Sequence, residues 1–256
     1  MTHPVRKFGW LPDLPDQRDF IYSVPGEYLQ ALPPQVDLRK SYRFPAVYDQ
    51  GQLGSCTSNA IGAALQFDEL KQNEPSPFHP SRLFIYYNER VIENTVTSDS
   101  GARIRDGIKS VATTGYCPET EWPYDITKFA NKPPAACYQD AKKYKALKYQ
   151  RVIQSLSQMK GCLSAGTPFV AGFSVYESIR HSDVEKTGDI PLPRLGESHL
   201  GGHAVLIIGY DDAKRVFILR NSWGDGWGRG GYGTLPYVYL ASPFLASDFW
   251  VINTVS

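Results

Sequence analysis

The amino-acid sequence predicts an α+β fold in which a mainly helical half precedes a β-rich half. Between residues 56 and 113, apolar residues recur at spacings of three and four, which is the pattern of amphipathic helices. Between residues 144 and 253, short runs of β-branched and aromatic residues stand between turn signals, which favours strands. A chain of 256 residues can bury a sizeable core as one large domain or two small lobes, and no internal repeat is visible.

Three helices are predicted in the first half. The first covers residues 56–72, and the proline-rich stretch 74–80 breaks it. Ser81 can then cap a second helix at residues 82–93. A third helix is predicted at residues 105–113, where a glycine soon follows.

The second half is predicted to alternate strands with loops and one helix. In chain order we expect a loop at 117–134, a strand at 144–152, a helix at 155–165, a strand at 169–175, a polar loop at 181–200 and strands at 203–210, 216–219 and 249–253. Long loops in compact domains often border functional sites, so the loop at 181–200 is a candidate rim.

Residues 1–31, called the N-terminal segment below, have little periodicity and several prolines, which is typical of extended or turning chain. The segment has too many apolar residues for a freely solvated tail. These residues are Phe8, Trp10, Leu11, Leu14, Phe20, Ile21 and Tyr22. We therefore expect the segment to pack on the body of the protein, residues 32–256.

The composition argues against two classes of partner. The formal net charge is +1, which provides no electrostatic attraction to nucleic acid or to an acidic membrane. No apolar run approaches the roughly 18–20 residues that span a bilayer. Residues 1–10 lack the apolar core of a secretory signal, which leaves open a cytoplasmic protein, export by another route, or a longer precursor. We expect a monomer.

Cys56 stands where the first predicted helix begins, after a stretch with two glycines. The positive end of a helix stabilises a thiolate and lowers the cysteine pKa, and the thiolate is the nucleophilic form. Taken alone, the residue is better interpreted as a small buried side chain at a helix start, and only partners elsewhere in the chain overturn that interpretation. His203 follows a glycine pair and Asn221 follows a short apolar run, roughly 150 residues later, which is the order of papain-type sites.

These residues resemble the active site of the papain-like cysteine peptidases. The motifs that carry the resemblance are Asp-Gln-Gly-Gln-Leu-Gly-Ser-Cys-Thr-Ser-Asn-Ala, Gly-Gly-His-Ala and Arg-Asn-Ser-Trp-Gly. The resemblance implies that Cys56 is the nucleophile and His203 the general base and acid. It implies that Asn221 orients the imidazole and that Gln50 donates to the oxyanion. Trp223 matches the tryptophan that covers the asparagine–histidine hydrogen bond.

The resemblance also implies the papain-like two-lobe fold, with a helical left lobe, a β-rich right lobe and the active site in the cleft between them. It covers residues 32–256, because Leu-Pro-Pro-Gln-Val-Asp-Leu-Arg from residue 32 resembles the start of a mature enzyme. Leu53 stands where many members have a disulfide cysteine, and Thr57 stands where many have tryptophan. The packing around the nucleophile must therefore differ in detail.

The N-terminal segment makes the chain resemble a bacterial-type member with a short extension. Members of the family are often made with an inhibitory propeptide, but that propeptide is usually longer and helical. The segment can reach the cleft, since it spans up to about 100 Å when extended. Two interpretations stay open: it covers the cleft and inhibits, as in a zymogen, or it packs elsewhere and stabilises.

The same resemblance suggests a substrate-binding surface. Ser100 and Gly101 stand where related enzymes have a glycine pair whose backbone pairs with the substrate. The candidates for the pocket that takes the second residue before the cut, together with a neighbouring glycine, are Ala102, Arg103, Gly172, Gly201, Gly202 and Ala204. Their small side chains would admit a bulky apolar residue.

Two other patterns are weaker, and we predict no metal and no cofactor. His199 and His203 have the spacing of a helical zinc pair, but the glycines between them disfavour a helix. The glycine-rich stretch 224–233 lacks the lysine–serine/threonine pair of a phosphate loop and indicates tight turns.

Three cysteines remain besides the candidate nucleophile: Cys117, Cys137 and Cys162. One disulfide among them and three core thiols are both compatible with the sequence, which does not choose a pair.

The predicted function is that of a cysteine endopeptidase acting on peptide or protein substrates. An acyltransferase or deamidase with the same residues would also form an acyl enzyme, and product analysis distinguishes it. An inactive binding protein with a papain-like body is a further alternative, which the complete set of site residues disfavours and an active-site titration decides.

Overall fold

The computed structural model describes residues 7–73 and 77–254, so parts of the N-terminal segment and of the predicted break at 74–80 lie outside the described residues. The helices are α1 (Gly26–Gln30), α2 (Cys56–Lys71), α3 (Arg82–Glu93), α4 (Ile104–Thr113), α5 (Ala135–Ala141), α6 (Leu156–Ser164), α7 (Ser182–Thr187) and α8 (Tyr237–Ala241). The strands are β1 (Trp10–Leu11), β2 (Gln35–Asp37), β3 (Ala102–Arg103), β4 (Ala146–Arg151), β5 (Phe169–Tyr176), β6 (His199–Asp211), β7 (Val216–Arg220), β8 (Tyr232–Pro236) and β9 (Ala246–Thr254). The predicted α+β class is confirmed.

The helices α2, α3 and α4 match the three predicted helices to within one residue at each end. The predicted cap of α3 is present, because the Ser81 hydroxyl accepts a hydrogen bond from the Phe84 N–H at 3.2 Å. Asn94 ends this helix in the left-handed conformation, with φ 57°. The capping residues therefore fix both ends of the helix that packs against α2 and α4.

The second lobe is built on an antiparallel sheet. Over the described residues its strand order is β4-β9-β5-β6-β7-β8, and β2 also pairs with β6. The long strand β6 lies between β5 and β7 and packs against α2. Side chains of α2 and of the sheet share one buried cluster, which includes Cys56, Ile61, Leu65, Ala204, Leu206, Ile208 and Trp250.

The prediction of a loop at 181–200 is wrong in part. Residues 182–187 form α7, which ends at Gly188 in the left-handed conformation, and β6 begins at His199 rather than at 203. Further short elements have no counterpart among the predictions, because runs of two to seven residues are too short to display a period. They are α1, α5, α8, β2, β3 and β8. Pairing holds β8 in place, with a register against β7 that runs from Val216↔Pro236 to Arg220↔Tyr232.

The N-terminal segment packs on both lobes, as predicted, but through Phe8, Trp10 and Tyr22. The prediction is wrong for four of its apolar side chains, which are exposed: Leu11, Leu14, Phe20 and Ile21. β1 pairs in parallel with β3 of the helical lobe, through Trp10↔Ala102 and Leu11↔Arg103. Further along, Ile21 forms a bridge to Arg151 of β4, and α1 packs on α6. Among the described residues, no helix has both the length and the apolar character to cross a membrane.

Candidate active site

Cys56 is the first residue of α2 and is fully buried. A tight turn leads into it, in which the Asp49 carboxylate accepts from the Gly51 N–H at 2.8 Å and Gly51 has φ +59°. The next residue, Thr57, donates its hydroxyl to the buried Glu89 of α3 at 2.7 Å. Burial raises the pKa of Glu89 well above its usual range. A polar contact with α3 thus stands where the resemblance led us to expect a change of packing next to Cys56.

His203 and Asn221 are brought together by the pairing of β6 with β7. Leu206 lies opposite Arg220, so the residue after β7 reaches the histidine three positions earlier on β6. The imidazole Nε2 and the Asn221 Oδ1 are 2.8 Å apart. Trp223 stacks on the imidazole with ring centroids 4.6 Å apart. The expected hydrogen bond and its tryptophan cover are therefore both present.

Gln50 is fully buried and is held from both sides. Its Oε1 accepts from the Ser222 hydroxyl at 2.7 Å, and its N–H donates to the Ser222 carbonyl at 2.9 Å. This fixes the amide so that Nε2 faces the other way, where it donates to the Leu53 carbonyl at 2.9 Å and to the Lys7 carbonyl at 3.2 Å. Ser222 is a positioning residue that the sequence reasoning missed, although it stands between Asn221 and Trp223 in the motif.

The Cys56 thiol lies against the backbone of Ala204, the residue that follows His203 on β6. Burial raises the pKa of Cys56 to about 12, and the backbone N–H groups of Ala204 and Gly9 lower that pKa only in part. The prediction of a lowered pKa is therefore wrong for this arrangement. The helix end is where we expected it, but Gly9 covers the thiol and excludes the water that a thiolate needs.

The N-terminal segment runs through the cleft in contact with nearly every candidate residue. The Lys7 carbonyl occupies the free side of Gln50, as described above, and the Lys7 ammonium pairs with Asp99. The Phe8 ring packs edge-on against both His203 and Trp223, at 6.3 and 6.2 Å between centroids.

Gly9 is held from the opposite side of the cleft. Its carbonyl accepts from the Ala102 N–H at 2.8 Å. This places the backbone pairing one residue beyond the expected Gly101, whose absent Cβ makes room for Gly9 instead. Ser100 turns its hydroxyl to the Gly101 carbonyl, and the Arg103 side chain pairs with Glu93 at 3.5 Å.

Three of the four remaining predicted pocket residues lie around the Trp10 side chain. A Cβ on Gly172 would come within 2.6 Å of the indole Cδ2, and one on Gly202 within 2.5 Å of Cε3. Ala204 shares a buried cluster with Trp10, while Gly201 faces Phe8 instead. The small walls thus enclose a bulky apolar side chain, and that side chain belongs to this chain's own N-terminal segment.

The other cysteines and histidines separate into distinct places. His199 lies on a strand against Tyr176, which agrees with the rejection of a helical zinc pair. In the described part of the chain all four cysteines are free. Cys117, Cys137 and the Glu121 carboxylate bring their ligand atoms within 4.8 Å of one another, whereas Cys162 belongs to a different buried cluster. A disulfide therefore has one favoured pair, Cys117 with Cys137.

Comparison with known proteins identifies the class of enzyme to which this fold and cleft belong. The family model "Papain family cysteine protease" matches residues 32–237. The chain therefore belongs to the papain family of cysteine proteases, and it is a thiol hydrolase. The family and the two-lobe fold that we predicted are confirmed.

Individual relatives agree with this assignment over most or all of the chain. The uncharacterized peptidase C1-like protein L477 of Acanthamoeba polyphaga mimivirus is 42% identical over 273 residues, covering 98% of this chain and 88% of that protein. Cathepsin B-like CP1 of Giardia intestinalis is 28% identical, covering 80% of this chain and 69% of that protein. The crystal structure of xylellain, a cysteine protease from Xylella fastidiosa, is 46% identical and superposes over all of both chains with a TM-score of 0.91. Digestive procathepsin L 3 of Tenebrio molitor, at 19% identity, a TM-score of 0.71 and coverage of 92% of this chain and 74% of that chain, supports the fold alone.

Proposed function

We propose that this papain-family protease is an endopeptidase in which Cys56 attacks the peptide carbonyl, His203 moves the protons and Asn221 orients the imidazole. The observation that carries the proposal is the 2.8 Å contact between His203 Nε2 and Asn221 Oδ1, under the cover of Trp223 and beside the start of α2. Because Nε2 donates to the amide oxygen, the neutral ring keeps its lone pair on Nδ1, which can take the thiol proton.

The proposed reaction proceeds through an acyl enzyme. The Cys56 thiolate adds to the carbonyl carbon, and the oxyanion accepts hydrogen bonds from the Cys56 backbone N–H and from Gln50 Nε2. His203 gives its proton to the leaving amine and then removes one from the water that releases the acyl group. Ser222 and the Leu53 carbonyl hold the Gln50 amide in place before substrate arrives, so the donor needs little reorganisation.

We further propose that the N-terminal segment inhibits this site. Its Lys7 carbonyl takes the Gln50 donor that the oxyanion needs, its Phe8 ring covers His203, and its Gly9 backbone covers the thiol. Tethering makes this contact intramolecular, with an effective concentration in the millimolar range, so a modest intrinsic affinity suffices. Substrates would be peptides or proteins that displace a short length of the segment, and we expect the body at residues 32–256 to act as a monomer.

A nucleophile test separates hydrolysis from the alternatives. Peptide hydrolysis should be abolished by Cys56→Ala and retained by Cys162→Ala, a matched change at a buried thiol of another cluster. Analysis of products in the presence of an added amine distinguishes a peptidase from an acyltransferase. Hydrolysis that survives Cys56→Ala would contradict the proposal.

A further inference from the structure

The pocket that holds Trp10 has a carboxylate at its base. The indole Nε1–H donates to the Asp248 Oδ2 at 3.1 Å, and Trp10 and Asp248 are 6% and 4% exposed. The rest of the indole is enclosed by Gly172 and Gly202, as described above. The pocket therefore recognises both the shape of an aromatic ring and a hydrogen-bond donor at its far edge.

A break in strand pairing turns Asp248 into the pocket. Between β5 and β9 the register passes from Val170↔Trp250 to Gly172↔Ser247, so β9 has one residue more than β5 at this point. Asp248 lies in this bulge and has a left-handed backbone conformation, with φ 60°. The bulge places a polar residue beside Gly172 in the wall of an otherwise apolar pocket.

Two of the three groups described as donating hydrogen bonds to Asp248 belong to the N-terminal segment. Its Oδ2 accepts from Trp10 and from the Asp13 N–H at 2.8 Å, and both of these residues belong to the segment. Its Oδ1 accepts from Arg151 Nη1 at 3.3 Å, and Arg151 belongs to the body. When the segment leaves, Oδ2 therefore loses two hydrogen bonds at the base of the pocket that substrate enters.

The charge at the base of the pocket is balanced by Arg151. This guanidinium stacks on Trp250 at 4.5 Å and pairs with Asp13, Asp19 and Asp248. The first two acids leave with the segment, which makes Asp248 the acid of this group that remains beside Arg151. An anion paired in this way accepts a neutral donor without attracting a second cation strongly.

We propose that Asp248 determines specificity and that the emptied pocket selects substrates with a donor-bearing aromatic side chain, tryptophan above all. This proposal rests on the proposed function, because the pocket must belong to a working peptidase. Phenylalanine has no hydrogen-bond donor for the Asp248 carboxylate. When phenylalanine fills the pocket, a buried acceptor is left unpaired, which costs free energy and disfavours phenylalanine relative to tryptophan. We expect tryptophan to exceed phenylalanine about tenfold in kcat/KM at this subsite.

The first experiment measures this preference on the full chain. Quenched fluorescent peptides are compared that differ at one position only, with tryptophan, phenylalanine, leucine or arginine two residues before the cut. The fraction of molecules with an open cleft multiplies every kcat/KM equally and cancels from their ratios. Asp248→Asn keeps a neutral acceptor and tolerates the left-handed backbone, and we expect it to lower the tryptophan-to-phenylalanine ratio to about threefold. A wild-type ratio near one, a ratio that Asp248→Asn leaves unchanged, or a preference for arginine would overturn the proposal.

The second experiment reads the pocket without any peptide substrate. Iodoacetamide reaches the buried Cys56 only when the segment leaves, so the alkylation rate reports docking of Trp10. Trp10→Phe keeps the ring and removes the donor, and we expect alkylation about tenfold faster. The same change in an Asp248→Asn background should have a much smaller effect. Tyr138→Phe, which also removes a hydrogen-bond donor from an aromatic side chain but in a separate cluster, is the matched control and should leave the rate unchanged.

The two experiments distinguish failure of this proposal from failure of the proposed function. Hydrolysis that persists in Cys56→Ala contradicts the catalytic assignment, but the alkylation comparison still tests the pocket. Conversely, the enzyme could be active while Trp10→Phe leaves the rate of Cys56 alkylation unchanged, both in wild type and in Asp248→Asn. That result would keep the proposed function and refute the role of Asp248.

Discussion

Gly9→Ala is the sharpest test of inhibition by the N-terminal segment. A Cβ at this position would lie 2.8 Å from the Gly54 Cα and closer still to the Gly54 carbonyl, which is main chain and cannot rotate away. The segment must therefore move out of the cleft to accept one methyl group. Nothing about the catalytic residues changes, because Gly9 belongs to the segment alone.

The size of the effect follows from what the displacement disrupts. Overpacking a close-fitted contact costs about 1–3 kcal/mol. The movement also breaks the hydrogen bond from the Ala102 N–H to the Gly9 carbonyl, 2.8 Å long, and the contact of the Gly9 N–H with the thiol, worth about 1 kcal/mol each. A total of about 3 kcal/mol corresponds to a rise of roughly a hundredfold in the open fraction, up to the limit at which every molecule is open.

The assay compares kcat/KM for a short fluorogenic peptide between wild type and Gly9→Ala, each normalised to the Cys56 that an irreversible thiol reagent titrates. We expect an increase of tenfold or more. Gly26→Ala is the matched control, because a Cβ there meets nothing within 4 Å and the residue lies in the same segment. Equal values for wild type and Gly9→Ala would refute inhibition and leave the segment a stabilising role.

Three further predictions follow from other contacts. Asn221→Ala should lower kcat about a hundredfold, because it releases the imidazole without removing a reacting group. Circular dichroism should show little loss of folded protein. A decrease in kcat of less than about threefold would contradict the orienting role of Asn221. A mild disulfide oxidant should link Cys117 to Cys137. Closing this loop of about 20 residues should raise the free energy of unfolding by about 3 kcal/mol, which a raised Tm would show. A non-reducing peptide map with any other pairing would contradict this prediction. Burial, and then the charge of Asp248, raise the pKa of Asp13 to about 6, so docking of the segment is strongest below pH 4 and weakens as pH rises through 6. Alkylation of Cys56, taken as the ratio of wild type to Asp13→Asn at each pH, should therefore rise on the order of tenfold between pH 4 and 7, and a flat ratio would contradict the link.

The proposed catalytic residues could be picked out from the sequence because each stands inside a local motif that resembles the papain-like site. Cys56 follows its glycines into a helix, and the pairing of β6 with β7 carries Asn221 to His203. The course of the N-terminal segment could not be predicted in the same way. Its apolar residues indicate that it packs somewhere, but its path is fixed by partners about ninety and more residues away, such as Ala102 and Asp248.

Asp248 illustrates a second limit of prediction from sequence. An acid near the start of β9, directly before its apolar run, is a visible signal. Its side chain reaches the pocket only because β9 carries one residue more than β5. A register shift depends on the pairing of two strands more than seventy residues apart, and no periodicity within either strand reveals it. Ser222 could not be recognised from the sequence for a similar reason, because its function depends on a hydrogen bond to Gln50, which is distant in the chain.

The burial of Trp10 and the raised pKa of Cys56 both follow from the docking of the N-terminal segment. Gly9 lies between them, so a segment that places the indole in its pocket necessarily covers the thiol and keeps it protonated. The proposed inhibition would therefore act twice, by excluding substrate and by withholding the thiolate. On this proposal both effects end together when the segment leaves, since water then reaches a thiol at the positive end of α2. Any change that opens the cleft should consequently raise the rate of Cys56 alkylation and kcat/KM by the same factor, whereas a change that acts on the thiol pKa alone would separate the two.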